Sequence, residues 1–326
     1  MRKKLFLKEF CKKILPKQII NLANKIKNKS ISIGRRIEAL KIIKSNLEEL
    51  SVKLKKETPD QRIYRTELFN SIKNIDNQRA ECTSLWDKYR QDIRRYILKK
   101  DLRNFLRWDP VIETMSAGAR KPEFDYLLNY NWDKWSPAIT ETWVGNPPKY
   151  KYWKKSSGNF INTAYNLSRL IDYIPIDIKQ AGKIVEFGGG YGCMAKLVNN
   201  LGFREKYTIF DIPEFLSLQK YYLHSSNTDG NFNFISQTEK LDDSNPDIFI
   251  ATWSLSESPV ELRDEFLKKI GQPKYVLIAY QAVFETIDNV KYFDEYMKNN
   301  QDHDWINYEI KHLPQNYYLI GKRNLN

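Results

Sequence analysis

The sequence predicts an α/β chain whose mostly parallel sheet ends in an antiparallel hairpin, with helices ahead of it. Two patterns carry that expectation. After Lys183, short apolar runs alternate with helix-patterned stretches, as parallel strands covered on both faces require. At the C-terminal end, Trp305–Leu313 and Tyr317–Gly321 read as two strands joined by a short Pro314-Gln315-Asn316 turn. A third pattern, apolar side chains every three or four positions from Ile33 to Tyr89, predicts the leading helices.

Taken in order, residues 1–32 mix Lys with Leu, Ile and Phe, a basic amphipathic segment suited either to an anionic membrane surface or to docking on a partner. Ile33, Ile37, Leu40, Ile43, Leu47, Leu50 and Leu54 then form a coiled-coil seam. Thr58-Pro59-Asp60 supplies a helix start, and a second seam runs through Leu68, Ile72, Ile75, Cys82, Leu85 and Tyr89. An antiparallel helical hairpin turning near residue 58 is expected, with self-association or spacing as its role. Residues 126–153 hold eight aromatics broken by Pro137, Gly145, Pro147 and Pro148; they suit a platform for sugars or bases, or simple packing against the next segment. Strands are expected at Lys183–Phe187, Tyr207–Asp211, Phe232–Ile235, Asp247–Ala251 and Tyr275–Tyr280, with helices at Cys193–Leu201, Pro213–Leu223 and Val260–Ile270. These shifts divide the chain into segments 1–32, 33–105, 106–180 and 181–326.

Of 53 basic and 40 acidic residues, 17 and 4 lie within residues 1–56, so the whole net charge of +13 belongs to that stretch. The rest is balanced, which argues against a body that grips a phosphate backbone; nucleic acid is not an expected partner. The three cysteines, Cys11, Cys82 and Cys193, indicate neither a disulfide framework nor a zinc ribbon. No apolar run reaches the roughly 18 residues of a transmembrane helix, and Lys8, Glu9, Lys12 and Lys13 interrupt any secretory signal. A cytoplasmic location is expected, with peripheral contact at the inner membrane face through the basic segment.

The strongest motif is Ile184-Val185-Glu186-Phe187-Gly188-Gly189-Gly190-Tyr191-Gly192, lying between an expected strand and helix. Alternate glycines let a ligand approach the backbone closely. Cys193 stands where a dinucleotide site wants glycine or alanine, and no Gly-Lys-Ser/Thr of a P-loop follows. What remains is an acid, Glu186, placed to help hold an amino-acid ammonium directly or through water. Nineteen residues after Gly192, Asp211 ends the next strand, positioned for two ribose hydroxyls. This pairing resembles S-adenosylmethionine-dependent methyltransferases.

The same residues, with Ile209-Phe210-Asp211-Ile212-Pro213-Glu214-Phe215, Trp253-Ser254-Leu255-Ser256-Glu257 and Asn316-Tyr317-Tyr318-Leu319-Ile320-Gly321, look like bacterial sugar O-methyltransferases of surface-polysaccharide loci. The similarity spans about Arg107 to Arg323 and includes Ser157-Gly158-Asn159 and Ala164-Tyr165-Asn166. It implies a Rossmann-like core with a seven-stranded sheet, S-adenosylmethionine as cofactor with S-adenosylhomocysteine as product, and a sugar hydroxyl as acceptor. Cofactor contacts are expected from Glu186, Gly188, Gly189, Gly190, Tyr191, Gly192, Asp211, Ile212, Ser236, Gln237, Thr252 and Trp253.

A sugar hydroxyl must lose its proton as it attacks, so a base is expected. Glu257, after the fourth strand, and His312, near the hairpin turn, are the candidates, although Glu257 is equally suited to starting a helix and His312 to packing. Acceptor contacts are expected from Trp143, Tyr280, Gln281 and Asn316. No His/Asp/Glu spacing suggests a metal. Two other readings are an RNA methyltransferase tethered by the basic segment and a non-catalytic assembly factor with a decayed core.

Overall fold

The computed structural model describes residues 57–75, 82–242 and 244–324. The first limb of the expected hairpin and the basic segment lie outside them.

Helix α1 (Pro59–Asn74) begins in a capping box: the Thr58 hydroxyl accepts from the Gln61 N–H at 3.2 Å, and the Gln61 side chain accepts from the Thr58 N–H at 3.1 Å. Helix α2 (Ser84–Lys99) follows. The sequence runs these together as one seam; the structure ends α1 at Asn74 and starts α2 at Ser84. Leu68 and Ile72 of α1 and Ile93 and Ile97 of α2 are buried in the same core as the sheet. These four side chains pack into the body of the protein, and Thr58–Asn326 forms one compact unit.

Four helices cross the next segment: α3 (Asp109–Met115), α4 (Lys121–Asn129), α5 (Trp132–Ala138) and α6 (Gly158–Tyr173). Most aromatics of 126–153 pack against one another here. Trp132 meets Trp153 with ring centroids 5.1 Å apart, and Tyr126 stacks on Tyr130 at 4.5 Å.

The sheet contains β1 (Lys183–Phe187), β2 (Lys206–Phe210), β3 (Asn231–Ile235), β4 (Ile248–Thr252) and β5 (Tyr275–Gln281). Helices α7 (Cys193–Asn200), α8 (Pro213–Ser225) and α9 (Val260–Ile270) alternate with them. A two-stranded ribbon, β6 (Val283–Phe284) and β7 (Ile287–Asp288), and helix α10 (Asn289–Asn299) precede the closing pair β8 (His303–Glu309) and β9 (Asn316–Arg323). Strand order is β3-β2-β1-β4-β5-β9-β8. β1 to β5 run parallel, and β9 is antiparallel to both neighbours. This is the Rossmann-like, seven-stranded arrangement that the sequence predicts, with strand limits shifted by one or two residues.

Alternation within the strands sends side chains to two cores. Ile184, Ile250 and Leu277 meet the helices of the N-terminal half, while Val185, Phe249 and Ile278 meet Phe266 of α9 and Phe293 of α10. Strand order reverses between β1 and β4, which opens a crevice beyond their carboxyl ends.

Candidate active site

The glycine turn leaves β1 at that crevice. Gly188 has φ +75°, and a Cβ there would collide with Ser254, so only glycine fits. Gly190 has φ +56°, and its nearest neighbour to an added Cβ would be Met115 at 3.7 Å. Both residues line the crevice, so a side chain at Gly190 would stand in it. Gly192 caps α7 and its N–H donates to the Gly189 carbonyl at 2.8 Å; it shapes the turn without lining the space.

The crevice is a cavity of about 880 Å³. Glu186, Gly188, Gly189, Gly190, Tyr191, Asp211, Ile212, Ser236, Gln237, Thr252, Trp253, Glu257 and Asn316, scattered over the sequence, all line it. Its roof comes from parts the sequence left unassigned: Trp86 and Arg90 of α2, Glu113 and Met115 of α3, Arg120 and Asn159. Arg90 is anchored by Glu214 at 2.9 Å, with both side chains buried. A lone arginine between Tyr89 and Ile93 in an apolar seam was the available signal for it.

Of the five carboxyl side chains in the lining, Glu186, Asp211 and Glu257 are held in different ways. Glu186 is only 2% exposed and accepts from the Tyr207 hydroxyl at 2.9 Å. Burial, with Asp211 adding to it, pushes its pKa up to about 8, so by itself it is an uncharged acid at neutral pH. Asp211 accepts from the Ile212 N–H at 2.8 Å on one oxygen and from Gln219 Nε2 at 2.6 Å on the other. Burial raises it to about 7 against those bonds. The backbone N–H groups of Gly189 and Gly190 oppose the rise as well. Glu257, closing the short helical turn Ser254–Glu257, accepts from Gln281 Nε2 at 3.3 Å. Burial lifts it to about 7, opposed by that bond and by the Arg263 charge.

The turn that carries Glu257 is strained. Trp253 has φ +66° and ψ −36°, a conformation costly for a bulky side chain. It is held from both ends: its N–H donates to the Ala279 carbonyl at 2.6 Å and its indole Nε1 to Asn316 Oδ1 at 2.7 Å. Ser254 Oγ bonds the Phe187 carbonyl, joining this turn to the end of β1. No sequence pattern announces that strain.

Four of the expected catalytic and acceptor residues lie outside the lining. His312 Nε2 meets Glu123 Oε1 at 2.9 Å and its ring packs on Tyr165. The nearly fully buried Glu123 carboxylate takes the imidazole away from the cavity, so His312 is not placed as the base. Tyr280 is fully buried between Phe293 and Tyr317, its hydroxyl donating to Asn307 Oδ1 at 3.0 Å. It belongs to the core under α10 and not to an acceptor site. Trp143 is at the surface, with Lys149 Nζ 3.9 Å from its ring centroid, and does not line the cavity. Gln281 is also outside the lining, but reaches it through Glu257. Among the described residues no group of three or more His, Cys, Asp or Glu side chains could hold a metal ion, and no helix is long and apolar enough to cross a membrane.

No protein-family model and no curated protein matches the chain. Solved structures similar to it include a ribosomal protein L11 methylase from Lactobacillus delbrueckii subsp. bulgaricus, with 13% identity, 51% of this chain and 80% of that one covered, and TM-score 0.37. An O-methyltransferase family protein from Burkholderia thailandensis has 13% identity, covering 50% of this chain and 58% of that one at TM-score 0.35. An rRNA methylase from Streptococcus thermophilus has 12% identity, 48% and 96% coverage and TM-score 0.39. Likenesses this remote decide nothing about chemistry, and the strand order stands without them.

Proposed function

We propose that this protein is an S-adenosylmethionine-dependent O-methyltransferase acting on a sugar hydroxyl in bacterial surface-glycan biosynthesis. The observation that carries the reading is the convergence of Asp211, the glycine turn and Glu257 on one cavity at the switch point of the sheet. The space at Gly190, which a Cβ would fill, and the apolar Phe187, Phe210, Ile212 and Leu262 in the lining fit an adenosine. Asp211 would accept from the ribose hydroxyls, Ser236 and Gln237 would meet the base, and Glu186 would face the amino-acid end. An ammonium there would draw Glu186 into its ionised form. When bound, the cofactor supplies an electrophilic methyl group on a sulfonium.

The protein's own part is positioning and proton transfer. At about 880 Å³ the cavity lies toward the upper end of the roughly 300–1,000 Å³ of small-molecule sites, which supports a second small ligand beside the cofactor. Glu257, with a pKa of about 7, suits a general base working near neutrality: its carboxylate takes the hydroxyl proton while Thr252, Trp253 and Asn316 shape the approach. The sugar itself is carried by the sequence resemblance.

The test is calorimetry with S-adenosylmethionine and S-adenosylhomocysteine, followed by transfer of a labelled methyl group to a panel of free and nucleotide-linked sugars, with RNA as a control. Saturable cofactor binding and a methylated sugar are the expected results. No binding at millimolar cofactor would return the chain to a scaffold, and a methylated RNA would overturn the sugar acceptor.

A further inference from the structure

Arg263 is fully buried in α9, beside Leu262 and Phe266, where packing alone would favour an aliphatic side chain. A buried guanidinium is costly unless its donors are satisfied. It donates three bonds to neutral oxygens: Nε to the Ser258 carbonyl at 2.8 Å, Nη2 to the Ser256 carbonyl at 2.6 Å, and Nη1 to Asn289 Oδ1 at 2.7 Å. Ser256 and Ser258 flank Glu257. Asn289, also fully buried, starts α10 and donates through Nδ2 to the Gln281 carbonyl at 2.9 Å. Gln281 in turn donates to Glu257. The chain of contacts is therefore closed: Arg263 grips the turn after β4, Asn289 grips the end of β5, and the two ends meet at the Glu257 carboxyl group.

We propose that Arg263 and Asn289 are positioning residues that clamp the turn carrying Glu257 to the strand end carrying Gln281, fixing where the acceptor proton is taken. This deepens the reading of Glu257 as base and rests on it. The clamp explains why a buried arginine stands in α9, since a hydrophobe of similar volume would take a donor from the Ser258 carbonyl and leave the Ser256 carbonyl only its 3.3 Å bond from Asn289 Nδ2. Other charged or titratable groups also face the pair. Tyr89 of α2 is near Glu257; the Tyr292 ring lies 5.1 Å from the Arg263 guanidinium and its hydroxyl donates to Asp264.

The experiment titrates the full-length protein, saturated with S-adenosylhomocysteine and carrying ¹³C at the glutamate side-chain carboxyl carbons, by NMR; Glu257→Gln assigns the signal. Loss of the charge in Arg263→Met should raise the Glu257 midpoint by about one pH unit. Asn289→Ala, which releases Gln281, should raise it less. Arg263→Lys, which keeps the charge but cannot make all three bonds, should shift it least while broadening the signal. Product affinity by calorimetry reports whether each variant is folded. If Arg263→Met does not fold, the other two decide. A Glu257 signal with wild-type midpoint and width in every folded variant would overturn the clamp. Failure of the base reading is a separate outcome: Glu257→Gln would keep wild-type methyl transfer while the clamp's midpoints still moved.

Discussion

The two halves of the cavity hold their acids by opposite means. At the ends of β1 and β2, Asp211 is gripped by a backbone N–H at 2.8 Å and by Gln219 at 2.6 Å, and the same Gln219 nitrogen reaches the Gly190 carbonyl at 3.0 Å. After β4, the Glu257 carboxyl group accepts from Gln281 over a longer 3.3 Å. Burial pushes both groups up to about 7, so desolvation does not separate them. Hydrogen bonding does. A carboxylate tied on both oxygens is a fixed acceptor for ligand hydroxyls, whereas a loosely held one in a strained turn is free to gain and lose a proton.

The sharpest way to break that contrast is at Glu257. Glu257→Gln should lower methyl turnover by about 10²–10⁴-fold, the usual worth of a general base, with cofactor affinity unchanged. The pH profile has a definite sign. The base works when ionised, and its pKa lies at about 7, so wild-type turnover should rise with pH through neutrality and level off above it. A flat profile from pH 6 to 8 at saturating cofactor would place catalysis on another group.

On the other half the expected loss is in binding. Asp211→Ala removes two prospective charged hydrogen bonds, each worth about 1.5–3 kcal/mol, and one such bond alone is about ten- to a hundredfold in affinity. Calorimetry should show S-adenosylhomocysteine binding weakened at least that much, with the fold retained. Unchanged affinity in a folded protein would remove Asp211 from the ribose site.

The binding half was the more legible in sequence, for a physical reason. Its residues lie within one βαβ unit, where strand period, glycine spacing and the acid after β2 are all local signals. The other half is assembled over long distances. His312 stood out as a rare histidine near the hairpin, yet its partner Glu123 lies 189 residues away and no local pattern connects them. Tyr280 lies in a correctly read strand, but α10, absent from the sequence reading, covers it with Phe293. The positive φ of Trp253 and the Arg263 clamp arise from tertiary constraint alone. Helix α1 packs on α8, more than a hundred residues downstream, a contact that no local pattern announces.

A smaller effect separates structural from catalytic contacts at the cavity's edge. His312→Asn should leave turnover close to wild type but lower stability by about 1–3 kcal/mol, because the Glu123 oxygen that it meets is buried and loses a partner. Thermal or urea unfolding measures that loss. A large fall in turnover with stability unchanged would restore His312 to the chemistry.

The smallest expected effect tests where the compact unit begins. A protein starting at Thr58 should keep its cofactor affinity, because every described residue of the cavity lining belongs to the unit Thr58–Asn326. We propose that those residues serve membrane or self-association, on their excess charge of +13 over residues 1–56 and their apolar seam. The shortened protein should therefore lose binding to anionic vesicles or sediment as a smaller species. Starting at residue 101 is a different cut. It removes Trp86 and Arg90 from the roof and leaves the buried Glu214 carboxylate without its arginine, which is strongly destabilising. The two truncations should therefore differ sharply in product affinity by calorimetry. Equal affinity in both would mean that α1 and α2 only decorate the core; loss of affinity on removing residues 1–57 alone would mean that the unit begins earlier in the chain.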